Sequence, residues 1–335
     1  MPEHYYSRET VALRAELGQS LDRSRLRALH QRRAARHLVV GARQFGLLAA
    51  CGWGLAVFEH PLIWLPLAVV QGFTIFNFTV LLHEVVHNNV FERPRPRAER
   101  LLGWLYAVPS GISASQFTRW HLDHHAELGS EEDDPKRHFL SPKINARWFK
   151  LLYCTPALFP IYFRAARLAA AGYDERLRRT IARERWVAIL VHLGALAAFW
   201  VWGGLPVALR AYVVPVFFVF PLAFTLNRLG QHYDIEPDDP AGWTTLVRGH
   251  WFWNAVFLNS NFHLEHHYFP GVPFYNLPAL QRELTPFYLR RGLRWRDYGS
   301  LVRGWLLENR APHTRWDDAA KPLIASGDRA AGPTR

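Results

Sequence analysis

Uncharged apolar runs alternate with polar segments along the chain, and the alternation predicts paired membrane helices. Residues 62–82, LIWLPLAVVQGFTIFNFTVLL, run for 21 positions without a charge, and ~20 suffice to cross a hydrocarbon core. Residues 186–209 form a second uncharged run of 24. The shorter apolar runs 45–58 and 211–226 each adjoin a longer one. Alone, a run of ~10–14 apolar residues equally suits a buried helix of a soluble protein; joined to a full-length neighbour, it reads as half of a helical hairpin. The expected fold is all-α and integral to the membrane, with four transmembrane helices as two hairpins. Residues 146–168 are apolar with basic flanks and two prolines, and read as an interfacial segment rather than a fifth span.

Mean hydropathy over the 335 residues is −0.10, a soluble-looking average that hides this segregation. The net charge of +12 suits nucleic acid, acidic lipid or an acidic protein, and its placement narrows the choice. Arg8, Arg14, Arg23, Arg25, Arg27, Arg32, Arg33 and Arg36 precede the first hairpin, Arg93, Arg95, Arg97 and Arg100 follow it, and the connections inside the hairpins are poor in basic residues. By the positive-inside rule both termini and the long middle segment are cytoplasmic. No nucleic-acid-binding motif accompanies the charge, and no cleavable signal peptide is expected. The organisation predicted is a basic cytoplasmic segment over 1–37, a membrane domain with a cytoplasmic helical cap over 38–290, and a cytoplasmic tail over 291–335, with 310–335 read as disordered. Cys51 and Cys154 are the only cysteines, so a disulfide framework and a cysteine zinc site are excluded.

Histidine carries the chemistry. His83, Glu84 and His87 form H-E-x-x-H, the usual sign of a zinc metalloprotease helix. Two histidines four apart lie ~40° apart around a helix, so the spacing indicates a metal more firmly than it indicates zinc. His121, His124 and His125 make a second cluster, and His263, His266 and His267 a third; positions i, i+3 and i+4 share one helical face. The arginine-derived topology brings all eight, with His232 as a ninth, to one side of the membrane. Eight or nine imidazoles suit two metals better than one four-coordinate zinc. Imidazole is compatible with Zn, Cu, Fe and Ni, so ligand type leaves the metal open. His192, inside an apolar run, reads as a packed or interfacial histidine with no assigned function.

The series HEVVH, HLDHH and HLEHH, interleaved with paired spans over residues 40–290, resembles the membrane fatty-acid desaturase superfamily, and NFHLEHHYFPGVPFYNLP is its most specific stretch. LGSEEDDP after the second box is similar to sequences around that box in carotenoid ketolases and sphingolipid desaturases. The resemblance implies a di-iron centre held by His83, His87, His121, His124, His125, His263, His266 and His267, with His232 as an added ligand. It implies O2 as co-substrate and a lipid acyl chain as substrate. Electrons would come from a separate donor such as a ferredoxin or cytochrome b5, because no H-P-G-G cytochrome module is fused. Where some acyl-CoA desaturases place an asparagine four residues before the added histidine, Arg228 stands here. Asp123, Glu265, Asp133 and Asp134 are candidate acceptors behind the ligands, with Asp133 and Asp134 read rather as solvent-facing; Phe269 and Phe274 are candidate substrate contacts. The alternatives are a hydroxylase or ketolase of the same superfamily, on a lipid or carotenoid, and a zinc intramembrane protease with Glu84 as general base. The protease leaves six of the histidines without a role.

Overall fold

The computed structural model describes residues 4–130, 133–142 and 144–311; most of the segment read as a disordered tail lies outside them. Among the described residues the regular structure is helical, with a single isolated bridge between Val247 and Arg296. Helix α4 (Ala34–Val57) and helix α5 (Pro61–Val86) form the first hairpin. Pro61 opens α5 at a position where its missing N–H costs nothing, and His60 Nδ1 accepts from the Leu62 N–H at 3.3 Å. Helix α4 begins well before the apolar run at 45–58. From Thr74 onward α5 is buried almost continuously, and it is the central helix of the molecule.

The second hairpin begins with α10 (Glu175–Ala208), continues through a wider π-helical stretch at Leu209–Val219 and ends with α11 (Phe220–His232). Gly203 and Gly204 leave helical geometry inside it, Gly204 at φ 68°, a conformation that glycine adopts without penalty. The chain doubles back there: α10 packs on the π-helical stretch, and His192 Nδ1 lies 2.8 Å from the Tyr212 hydroxyl. The other His192 nitrogen lies 2.9 Å from the Val108 carbonyl, so this histidine is packed and satisfied, as expected. Three stretches, Arg23–Val57, Pro61–Val86 and Glu175–His232, are long and apolar enough to cross a membrane. The last contains both apolar runs that the sequence separates.

The remaining helices gather at the histidine end of α5. They are α6 (Pro96–Ala107), α7 (Ala114–Glu127), α8 (Arg147–Leu152), α9 (Leu158–Ala170), α12 (Trp251–Val256), α13 (His263–Tyr268), α14 (Leu277–Arg291) and α15 (Tyr298–Val302). Helices α8 and α9 occupy the segment expected at the interface, and each is far shorter than a span. The N-terminal helices α1 (Tyr5–Glu9), α2 (Val11–Ser20) and α3 (Arg23–Leu29) do not lie free: α1 packs on α7, and α2 and α3 pack on α14. Thr10, Leu13, Leu17 and Leu21 supply their buried stripe.

Lys150 ties the cap to the C-terminal turn. It is fully buried, and its Nζ donates to the carbonyls of Trp305 and Arg310 and to Asn309 Oδ1 at 2.9, 2.6 and 3.0 Å. Lys150→Met keeps the stem and strands three acceptors. The expected cost is ~3 kcal/mol, read as a lower unfolding midpoint and faster proteolysis near residue 305.

Candidate metal centre

Each histidine is delivered by an ordinary local structure. His83 sits in the last turn of α5 and His87 caps it, its N–H donating to the His83 carbonyl at 3.2 Å. Helix α7 is started by Ser113, whose Oγ accepts from the Gln116 N–H at 3.1 Å. Glu184 of α10 pins this start by accepting from Ser113 Oγ, the Ser115 N–H and Ser115 Oγ at 2.5, 2.9 and 2.7 Å. His121, His124 and His125 follow on α7, His232 ends α11, and His263, His266 and His267 line α13.

The nine side chains form two groups. One holds His83, His87, His121, His125 and His266; the other holds His124, His232, His263 and His267; ligand nitrogens within a group lie within 4.8 Å of one another. The closest pairs are Nε2 to Nε2: His87–His121 at 2.8 Å, His124–His232 at 3.0 Å, His232–His263 and His125–His266 at 3.1 Å, and His263–His267 at 3.2 Å. Neighbouring donors ~2.1 Å from an octahedral ion stand ~3.0 Å apart, so the spacing fits two ions. Nδ1 atoms face outward. His124 Nδ1 meets buried Asp134 Oδ1 at 2.9 Å, and His121 Nδ1 meets Lys136 Nζ at 3.0 Å. His83 Nε2 and the Nδ1 atoms of His266 and His267 are buried without a hydrogen bond.

Burial, first, and the repulsion that Lys136 and the other imidazoles would exert on an added proton, second, hold the imidazoles of His121, His124, His125, His263, His266 and His267 well below the ordinary histidine range. They are therefore neutral at physiological pH, the form in which imidazole binds metal. Burial and then the Arg228 charge, against the opposing carboxylate of Asp134, push the Lys136 ammonium down to about 7.

A cavity of about 1160 Å³, counting the space open to solvent, runs from the histidines toward the middle of α5. Phe76, Val80, Leu158, Phe159 and Phe220 line its apolar walls, while His83, His121, His263 and His266 stand at one end, with Phe117 stacked on His121. Phe274 also lines it, whereas Phe269 packs edge-on against His30.

The outer carboxylates sort differently from the expectation. Asp134, read as solvent-facing, is buried on His124, while Asp133 is exposed. Asp123 pairs with Arg119. Glu265 accepts from Gln281 and Tyr288 at 2.7 and 2.9 Å, and so braces α13 against α14. Glu84 Oε2 accepts from the Phe274 N–H at 2.9 Å, which ties α5 to the loop after the third box. Lys136 and the packing of the N-terminal helices against the cap escaped the sequence reading. Tyr5 stacks on Trp243, and the Tyr6 hydroxyl lies 3.4 Å from the His267 carbonyl. The i, i+4 spacing of Leu13, Leu17 and Leu21 was a signal for the packing of α2; nothing local marks Lys136.

The chain is also similar in sequence to known proteins. The chain is 30% identical over 227 residues to the human sphingolipid delta(4)-desaturase/C4-monooxygenase DES2, a match covering 63% of this chain and 62% of that protein. It is 27% identical over 234 residues to the Drosophila melanogaster sphingolipid delta(4)-desaturase DES1, covering 67% and 68%. Residues 59–299 match the pattern of the family described as Fatty acid desaturase. That span takes in all three histidine boxes and His232, and the chain belongs to the fatty acid desaturase family.

Proposed function

We propose that the protein is a membrane-bound, O2-dependent di-iron oxidoreductase that introduces a double bond into a lipid acyl chain. The observation that carries this reading is the convergence of nine imidazoles as two groups at the end of an apolar cavity. His83, His87, His121, His125 and His266 would hold one iron, and His124, His232, His263 and His267 the other. Bound there, the irons supply O2 activation. The overall change is R–CH2–CH2–R′ + O2 + 2e⁻ + 2H⁺ → R–CH=CH–R′ + 2H2O, with the electrons from a separate ferredoxin-like or cytochrome b5-like donor. The chain's own part is positional. The apolar walls hold methylenes against the centre and exclude water, which an acyl chain without polar handles near its reacting carbons requires. Asp134 orients His124, and the Glu84 link to Phe274 holds the first box against the third.

The Glu175–His232 stretch would be ~87 Å long if straight, against a core of ~30 Å. In this reading it makes two passes, turning at Gly203–Gly204. Four passes then put both termini and the cap on the cytoplasmic side, with 38–290 as the membrane domain, 1–37 as a basic cytoplasmic segment and 291–335 as a cytoplasmic tail. Hydroxylation is the second reading, favoured by the C4-monooxygenase activity in the name of the human relative; one oxygen atom would then enter the product.

Metal analysis of the iron-replete protein, paired with lipid profiling of expressing cells, tests the proposal. About two irons per chain and a new unsaturated or hydroxylated lipid are expected. One tight zinc, little iron and no new lipid would instead point to the protease. Glu84→Gln separates the two readings again. The amide oxygen still accepts from the Phe274 N–H, so iron and product should stay within ~3-fold of wild type, whereas a protease would lose its general base.

A further inference from the structure

We propose that Arg228, with Lys136, Asn227 and Gln231 beside it, forms a subsite in the cavity for an anionic head group, a carboxylate or a phosphate, on the lipid substrate. Calling the ligand a substrate rests on the reading above; the binding does not. Arg228 lies one turn before His232 on α11 and lines the same cavity as His121 and His263. Among the described residues no carboxylate comes within ion-pair distance of its guanidinium. Its recorded contact is with the face of Phe224, 5.9 Å away, and the Asp134 carboxylate that it senses is taken by His124. A guanidinium beside an apolar chamber is costly unless an anion meets it.

Among the described residues that line the cavity, Glu84 is the one carboxylate. The nine imidazoles bring no negative charge. Glu84 and Glu265 are engaged by the Phe274 N–H and by Gln281 and Tyr288. The neighbouring amides are already oriented: Asn227 Nδ2 donates to Ser260 Oγ at 2.8 Å, and Gln231 Nε2 donates to Asn227 Oδ1 at 2.7 Å. Both line the cavity next to Arg228. Planar, always-charged guanidinium suits the paired oxygens of carboxylate and phosphate. The cavity is thus amphipathic, with its polar station at the level of the histidines and its apolar part reaching Phe76, about 10 Å deeper along α5. A lipid seated head-first at Arg228 presents carbons close to its head to the centre, and leaves its tail in the apolar part.

The test measures binding of hexadecanoate, hexadecyl phosphate and hexadecanol to the purified full-length protein and to Arg228→Gln. The wild type is expected to bind an anion at least ~10-fold tighter than the alcohol, and the variant to bring the two within ~3-fold while holding the alcohol unchanged. The tighter of the two anions identifies the head group. Direct ligation of the anion by metal would survive Arg228→Gln, and so would overturn the assignment. Equal wild-type affinity for acid and alcohol overturns it too, as does equal loss of all three ligands in the variant. Should Arg228→Gln fail to fold, Arg228→Lys takes its place, with an intermediate preference expected. Anion preference without any lipid product would leave this subsite standing and sink the oxidoreductase reading. New product without anion preference would do the reverse.

Discussion

Replacing His263 with alanine is expected to lower bound iron from about two per chain to about one, and to reduce product at least ~100-fold. His263 belongs to the smaller group, where its Nε2 lies 3.1 Å from His232 and 3.2 Å from His267. Three imidazoles would remain, His124 and His232 still as a close pair but His267 without its near neighbour. The five-member group shares no ligand with it, so one iron should persist. Helix α13 should also persist, because Glu265 holds it through Gln281 and Tyr288 rather than through the histidines. His192→Phe is the matched control: it removes a partly buried histidine hydrogen-bonded to Tyr212 and facing the Val108 carbonyl. Its effect should fall on stability, with iron content unchanged. Metal analysis and lipid profiling of the two variants decide the matter. Two irons and full product in His263→Ala would remove His263 from the ligand set.

The histidine boxes were legible because helix periodicity alone places i, i+3 and i+4 on one face, and the arginine distribution alone gathers them at one end. Their division into groups of five and four was not. It mixes boxes: His266 joins the first box, while His124 leaves His125 to join His232. That sorting depends on how α7 and α13 rotate against each other, which no local pattern encodes. The apolar runs located α5 and the second hairpin, and Gly203–Gly204 in "WGGLP" marks where the latter turns. Asp134 was misread because its neighbours are acidic and polar; burial against His124 comes from the fold around it. Arg228 was noticed as a departure from pattern, yet its place in the cavity needed the structure.

Gly72→Val is expected to destabilise the protein by about 3 kcal/mol or more, through the crossing that sets the depth of α5. A methyl group built on Gly72 would overlap Val219 and stand 3.0 Å from the Pro215 carbonyl oxygen. Part of that obstacle is backbone, so a rotamer change cannot relieve it. The crossing also carries a side-chain hydrogen bond between the two hairpins. Pro215 has no N–H to offer the Ala211 carbonyl one turn back, the segment widens to π-helical bonding, and Gln71 Nε2 donates to that carbonyl at 2.8 Å. Within an apolar layer such a carbonyl needs a partner, which accounts for a glutamine in an otherwise apolar helix. Pushing α5 away at Gly72 therefore breaks the Gln71 bond as well. It also displaces His83 and His87, eleven and fifteen residues further along the same rigid helix. Gly194→Val is the control, since nothing lies within 4 Å of a methyl group there. Thermal unfolding of the detergent-solubilised proteins should show a large drop for Gly72→Val and little change for Gly194→Val. Equal midpoints would mean that α5 and the π-helical stretch are not held in the close contact on which the position of the first histidine box depends.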